Sequence, residues 1–98
     1  MQVRVTLEAH GDVAEAKTWY EVQAAHVVPR FVEAYGRLLA RLEQNPHQFP
    51  WTRSRPNVRR ADFGDFPYGL FFRIGADEVE VFACLHARRH PRRWQRRA

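Results

Sequence analysis

Strict alternation opens the chain: Val3, Val5 and Leu7 fall on one side and Gln2, Arg4, Thr6 and Glu8 on the other. That is the period-two pattern of a half-buried strand over positions 2–8. His10-Gly11 ends it. Asp12, with Glu15 three residues later, has the spacing of a capping box, and it predicts a helix whose apolar face runs Val13, Ala16, Tyr20 and Ala24 with Trp19 beside it. His26 closes this helix. Pro29 suits the first turn of a second, where its missing N–H costs nothing. That second helix is the clearest element, because Val28, Phe31, Tyr35, Leu38 and Leu42 step by three, four, three and four, with Val32 and Leu39 flanking. Asn45-Pro46 terminates it.

Positions 46–56 set Pro46, Pro50 and Pro56 around Phe49, Trp51, Arg53 and Arg55, an irregular loop held down by aromatics. Three strands are then expected at 58–63, 68–74 and 79–86, separated by Gly64-Asp65 and Gly75-Ala76-Asp77. Pro67 cannot donate a ladder bond and belongs at a strand start or edge. Tyr68, Leu70, Phe72 and Ile74 share one face of the second strand; Val79, Val81, Ala83 and Leu85 share one face of the third. The element order predicts an α+β fold, β-α-α-β-β-β, with an N-terminal helical hairpin packed on a mainly antiparallel sheet. Positions 1–98 are too few for more than a single domain with one modest core.

Charge changes the picture in the second half. Positions 1–49 carry five Arg/Lys against six Asp/Glu and positions 50–98 carry eleven against five, so the net +5 is a local feature. Arg88, Arg89, Arg92, Arg93, Arg96 and Arg97 crowd the last eleven positions, where summed potential steers association with nucleic acid or an acidic protein. The single cysteine, Cys84, excludes an intramolecular disulfide and a cysteine-based zinc site, and its apolar strand makes it a packed side chain. No stretch reaches the roughly eighteen apolar residues of a membrane span, and the N-terminal segment lacks a signal-peptide pattern. A cytoplasmic protein with no membrane association is expected.

Several spacings together resemble a known family. They are Asp12-Val13-Ala14-Glu15-Ala16 before Trp19-Tyr20-Glu21 and Gln23, then Arg30-Phe31, then Asn45-Pro46 before Phe49-Pro50. Val58-Arg59-Arg60-Ala61, Phe66-Pro67-Tyr68, and Val81-Phe82-Ala83 with His86, Arg89, Pro91 and Trp94 follow in order. The whole resembles the RelE/ParE superfamily of type II toxin–antitoxin toxins, on its ParE-like, plasmid-stabilisation side. One departure is the helix link, where His26-Val27-Val28-Pro29 stands in place of a common glycine-containing turn.

The resemblance implies a small toxin without a cofactor, neutralised by a cognate antitoxin that wraps the helical hairpin and the sheet edge. Trp19, Tyr20 and Tyr35 are then the expected antitoxin-binding residues, on an exposed apolar rim. ParE-like members block DNA gyrase; RelE-like members cleave mRNA on the ribosome. Metal-free RNA cleavage needs groups to activate the 2′-OH, protonate the leaving oxygen and stabilise the phosphorane. Arg60, His86 and Arg89 are the candidate catalytic residues for that alternative. The His-x-x-Arg-x-Pro-x-x-Trp pattern from His86 is typical of the ParE-like side, no tyrosine follows Tyr68, and the sole lysine, Lys17, is far upstream. Gyrase binding is therefore the favoured expectation, with Arg59, Arg88, Arg92, Arg93 and Trp94 as target-binding residues. Trp94 with Pro91 is read first as an anchor folding the basic tail onto the sheet. His86 and His90 have metal-pair spacing, but Pro91 discourages the helix this needs and no metal site is expected. Phe49, Trp51, Arg53 and Arg55 have the make-up of a nucleic-acid platform, although loop packing is the favoured use. The second helix, apolar on its best face, makes no recognition helix.

Overall fold

The computed structural model describes residues 1–89 and 92–98. Strand β1 is Gln2–Val5, helix α1 Leu7–Gln23, helix α2 Val28–Gln44, strand β2 Arg59–Asp62, strand β3 Tyr68–Ile74, strand β4 Glu78–His86 and helix α3 Arg93–Arg97. Short 3₁₀ turns at Ala25–Val27 and Pro46–Gln48 lead into and out of α2. The sheet order is β1-β4-β3-β2, with β1 parallel to β4 and the other two pairings antiparallel. The expected α+β architecture is the observed one.

The first strand is shorter than its alternation suggests. Thr6 leaves the ladder as the N-cap of α1, its Oγ1 accepting from the Ala9 N–H at 3.1 Å. Leu7 accordingly sits exposed in the first helical turn, and Gly11 lies within the helix. Asp12 is therefore no cap. The stripe of α1 that turns inward is Ala9, Asp12, Ala16 and Tyr20, spaced three, four and four. α2 buries Phe31, Ala34, Leu38 and Leu42. Both helices lie on one face of the sheet, where Phe31, Leu42, Leu70, Phe72, Val79 and Val81 are fully or almost fully buried. Aromatic rings fill the end of this core nearest the helix link: Phe31 stacks on Phe63 at 5.2 Å and meets Phe66 edge-on at 5.4 Å.

One irregularity decides which side chains reach the opposite face. β3 pairs Phe71 with Ala83 and Phe72 with Val81, so Phe82 is an additional residue on β4, a β-bulge. Before it, Val79 and Val81 face the helices; beyond it, Ala83 and Leu85 face away and Cys84 takes the helical side. The single face expected for Val79, Val81, Ala83 and Leu85 is thus split, because one inserted residue reverses the alternation. Val58, Phe71, Phe82, Ala83, Leu85 and Trp94 form a second, smaller apolar cluster on the far face.

α3 closes that cluster. Trp94 is buried, its ring stacked on Phe71 at 4.6 Å and 13°. Arg73 Nη1 donates to the Ala98 carbonyl at 3.1 Å, and Arg97 Nη1 donates to the Phe82 carbonyl at 3.2 Å. The expected anchoring of the basic tail by Trp94 is what the chain does; Pro91 lies outside the described residues.

Candidate functional site

A cavity of about 240 Å³ opens between α1 and the far ends of β3 and β4. α1 contributes Asp12, Glu15, Ala16 and Trp19, which its pitch places along one side. The sheet contributes Tyr68 and His86, direct cross-strand partners in the β3–β4 register, with ring centroids 5.4 Å apart. Arg89 and Arg93 complete the rim. The Arg89 guanidinium lies 4.7 Å from the centre of the half-exposed Trp19 ring, a cation–π contact across the mouth. Arg93 Nη1 stands 3.8 Å from Glu15 Oε2.

The groups within this cavity have defined chemistry. The Arg88 backbone N–H donates to His86 Nδ1 at 3.1 Å, so a neutral imidazole carries its own proton on Nε2. Burial pushes the Tyr68 phenol above its ordinary value, which keeps it a neutral donor at physiological pH. The Cys84 thiol is pushed far up, first by burial and then by the nearby Asp12 carboxylate, so it packs and does not attack. No three His, Cys, Asp or Glu side chains among the described residues gather as a metal site. The His86/His90 spacing falls partly outside those residues.

Asp12 is the residue that sequence reasoning misplaced most. It is buried, and its Oδ2 accepts from the Cys84 backbone N–H at 3.0 Å and from Arg97 Nη1 at 2.5 Å. Arg97 Nη2 reaches Oδ1 at 3.1 Å, and Arg97 Nε lies 3.6 Å from Glu8. A bidentate ion pair thus ties the C-terminal helix to α1 across the Phe82–Cys84 stretch of β4, beyond its pairing with β1. An acid on the buried stripe Ala9-Asp12-Ala16-Tyr20, in a chain with a basic tail, was the available signal.

The two neighbouring arginines of β2 go to opposite faces. Arg59 faces the helical side, where its Nη1 donates to the carbonyls of His47 at 3.2 Å and Phe49 at 2.6 Å, with its guanidinium 3.7 Å over the Trp51 ring. It holds down the 46–52 loop. Arg60 lies over Phe71 on the far face, its Nε donating to Asp62 at 2.6 Å. β3 runs between β2 and β4. The structure therefore brings His86 and Arg89 to one cavity and keeps Arg60 away from both.

The other expected residues divide between surface and interior. Arg88 and Arg92 are exposed, Arg93 is half-buried beside Glu15, and Trp94 is buried. Of the hairpin residues, Trp19 is 39% exposed, Tyr20 is buried against Phe31 and Phe66, and Tyr35 is half-buried over Phe63. Tyr35 Oη is buried with no hydrogen-bond partner among the described residues. Leu7, Val22 and Val32, which the pattern did not single out for binding, are the other exposed apolar side chains of the hairpin. No helix is long and apolar enough to cross a membrane among the described residues.

Residues 3–91 match the family described as "ParE toxin of type II toxin-antitoxin system, parDE". No curated protein matches. Among solved structures, one described as "Chromosomal ParDE TA system from P. aeruginosa" superposes with a TM-score of 0.78 at 19% identity. It covers 88% of this chain and 95% of its own. At that identity the likeness is one of fold.

Proposed function

The chain belongs to the ParE toxin family of type II toxin–antitoxin systems, and from that premise we propose that it stops growth by binding DNA gyrase and is held inactive by a cognate antitoxin. The observation that carries gyrase binding over RNA cleavage is the separation of Arg60 from His86 by the sheet itself. Metal-free cleavage of RNA needs acid, base and phosphorane-stabilising cations around one phosphate. Here one candidate cation serves Asp62 on the far face, and the other, Arg89, lies over Trp19. A binding mechanism asks only that the surface be complementary to its target.

The antitoxin's seat is the outer surface of the hairpin. Trp19, Val22 and Val32 leave apolar surface exposed there, while Tyr20 and Tyr35 support it from beneath. An amphipathic antitoxin segment would cover these side chains. The target surface is the basic tail, where Trp94 fixes in place the segment that carries Arg92 and Arg93, with Arg88 before it. A small intracellular toxin of this type acts in the cytoplasm, where gyrase and antitoxin are found.

Inducing the chain alone in bacteria and pulse-labelling in the opening minutes tests the reading. Thymidine incorporation is expected to fall before methionine incorporation; loss of protein synthesis first would favour the ribosome-dependent nuclease instead.

A further inference from the structure

Two stretches remote in sequence meet on the far side of the sheet. Ser54, between Arg53 and Arg55 on the 50–57 loop, accepts through its Oγ from Gln95 Nε2 of α3 at 3.1 Å. Gln95 is itself next to Arg96, one helical turn from Arg92, whose carbonyl accepts from the Arg96 N–H at 3.2 Å. The junction therefore gathers Arg53, Arg55, Arg92 and Arg96, with Arg88 at the end of β4 also exposed.

Half of the other Arg and Lys side chains pair with an acid among the described residues. Arg4 bridges Glu78 and Glu80, Arg73 pairs with Glu80, and Arg60 with Asp62. In α3, Arg93 and Arg97 turn toward Glu15, Glu8 and Asp12 on α1. The four junction arginines are all exposed, and none makes an ion pair among the described residues. The sequence of the 50–57 loop and of α3 contains no acidic residue. Unpaired like charges held together repel one another, and a polyanion relieves that repulsion.

We infer that this junction is a docking surface for the phosphate backbone of duplex DNA, the segment that gyrase holds; the inference rests on the gyrase reading. A protein partner would call for an apolar centre within the patch. The exposed apolar side chains of the helices lie on the hairpin, and Trp51, the exposed aromatic of the loop, already carries the Arg59 guanidinium on its ring. Arginines on a surface without such a centre suit phosphates, which are contacted by charge and hydrogen bonding alone. The toxin would then grip both the enzyme and its DNA, favouring the DNA-bound form of its target.

The test uses the full chain and a short fluorescent duplex, with affinity followed by anisotropy across a salt series. Four phosphate contacts predict an affinity loss of about a hundredfold between roughly 50 and 200 mM salt. The triple variant Arg53→Ala/Arg55→Ala/Arg96→Ala is expected to flatten the log–log slope by about 3, whereas Arg37→Ala, on α2, leaves it unchanged. A triple variant with the wild-type slope overturns the inference. A parallel capture of gyrase without DNA separates this from the proposed function. Normal capture by the triple variant, with loss of the added affinity that duplex brings, supports a DNA contact. Loss of DNA-free capture with duplex binding unchanged identifies a protein-docking patch and overturns it. Failure of the wild-type chain to capture gyrase sinks the gyrase reading, while the duplex series still reads the surface.

Discussion

The helical face and the far face of the sheet are covered by elements of different size and charge. α1 and α2, seventeen residues each, lay Phe31, Leu38, Leu42 and Tyr20 onto a core that also takes in Leu70, Phe72, Val79 and Val81. The far face has a five-residue helix, one tryptophan stacked on Phe71, and the Arg97–Asp12 pair reaching round to α1. Burying a large apolar side chain contributes roughly 1.5–3 kcal/mol, so the hairpin side carries most of the stability. The far side has fewer attachments, and Arg53, Arg55, Arg92 and Arg96 there face solvent. Stability is concentrated where the antitoxin is proposed to bind, and unbalanced charge where the target is.

Deleting a core ring gives the largest effect. Phe31→Ala empties a fully buried site ringed by Tyr20, Phe63, Phe66 and Tyr68. It should cost about 3–5 kcal/mol in urea denaturation; a loss below about 1 kcal/mol would place the stability elsewhere. Next comes Asp12→Ala, which leaves Arg97 with only Glu8 and the Phe82 carbonyl and strips the Cys84 N–H of its acceptor, a loss of about 2–3 kcal/mol. Asp12→Asn should recover part of this, because its amide oxygen still accepts from Cys84. Equal losses for the two variants would mean that the Cys84 bond adds nothing.

Trp94→Ala sharpens the contrast between faces. It should release α3 locally, exposing the Arg93–Arg97 amides to hydrogen exchange and the tail to trypsin, while global stability falls less than for Phe31→Ala. Target affinity should fall with it. Retained affinity would separate the tail from target binding, and cooperative unfolding of the whole chain would show that the far cluster belongs to one core.

The smallest effect is a pH dependence at the β1–β4 edge. The Glu80 carboxyl is held below its ordinary value of 4.5, chiefly by the hydrogen bond from Arg4. A carboxylate lowered in the folded state stabilises the fold above its unfolded pKa and loses that contribution as pH falls through the folded value. Stability should therefore decline below about pH 4.5, and Glu80→Gln should flatten that limb of a denaturation series. An unchanged acid limb would show that the Arg4 and Arg73 contacts carry no linkage.

These contrasts were unevenly legible in the sequence. α2 was plain, because its buried residues are mostly large and apolar at helical spacing. α1 was harder: its buried stripe is Ala9, Asp12, Ala16 and Tyr20, so an aspartate sits where the pattern calls for a hydrophobe, and Leu7 extends the strand alternation into a helix. β3 matched its expected bounds. β4 carried a bulge that no composition signal marks, and that one residue sends Ala83 and Leu85 to the far face. Alternation separated Arg59 from Arg60 but gave no sign of which side the helices cover. Bringing Ser54 beside Gln95 depended on the tertiary path of two irregular segments, which periodicity does not encode.

Whether this ParE-family chain stops growth through gyrase, as proposed, is best decided by a supercoiling assay with the purified chain, gyrase and relaxed plasmid. The account predicts that supercoiling is blocked and that a translating ribosome extract keeps its mRNA intact at the same toxin concentration. Unimpaired supercoiling together with cleaved mRNA would contradict it and return His86 and Arg89 to catalytic roles.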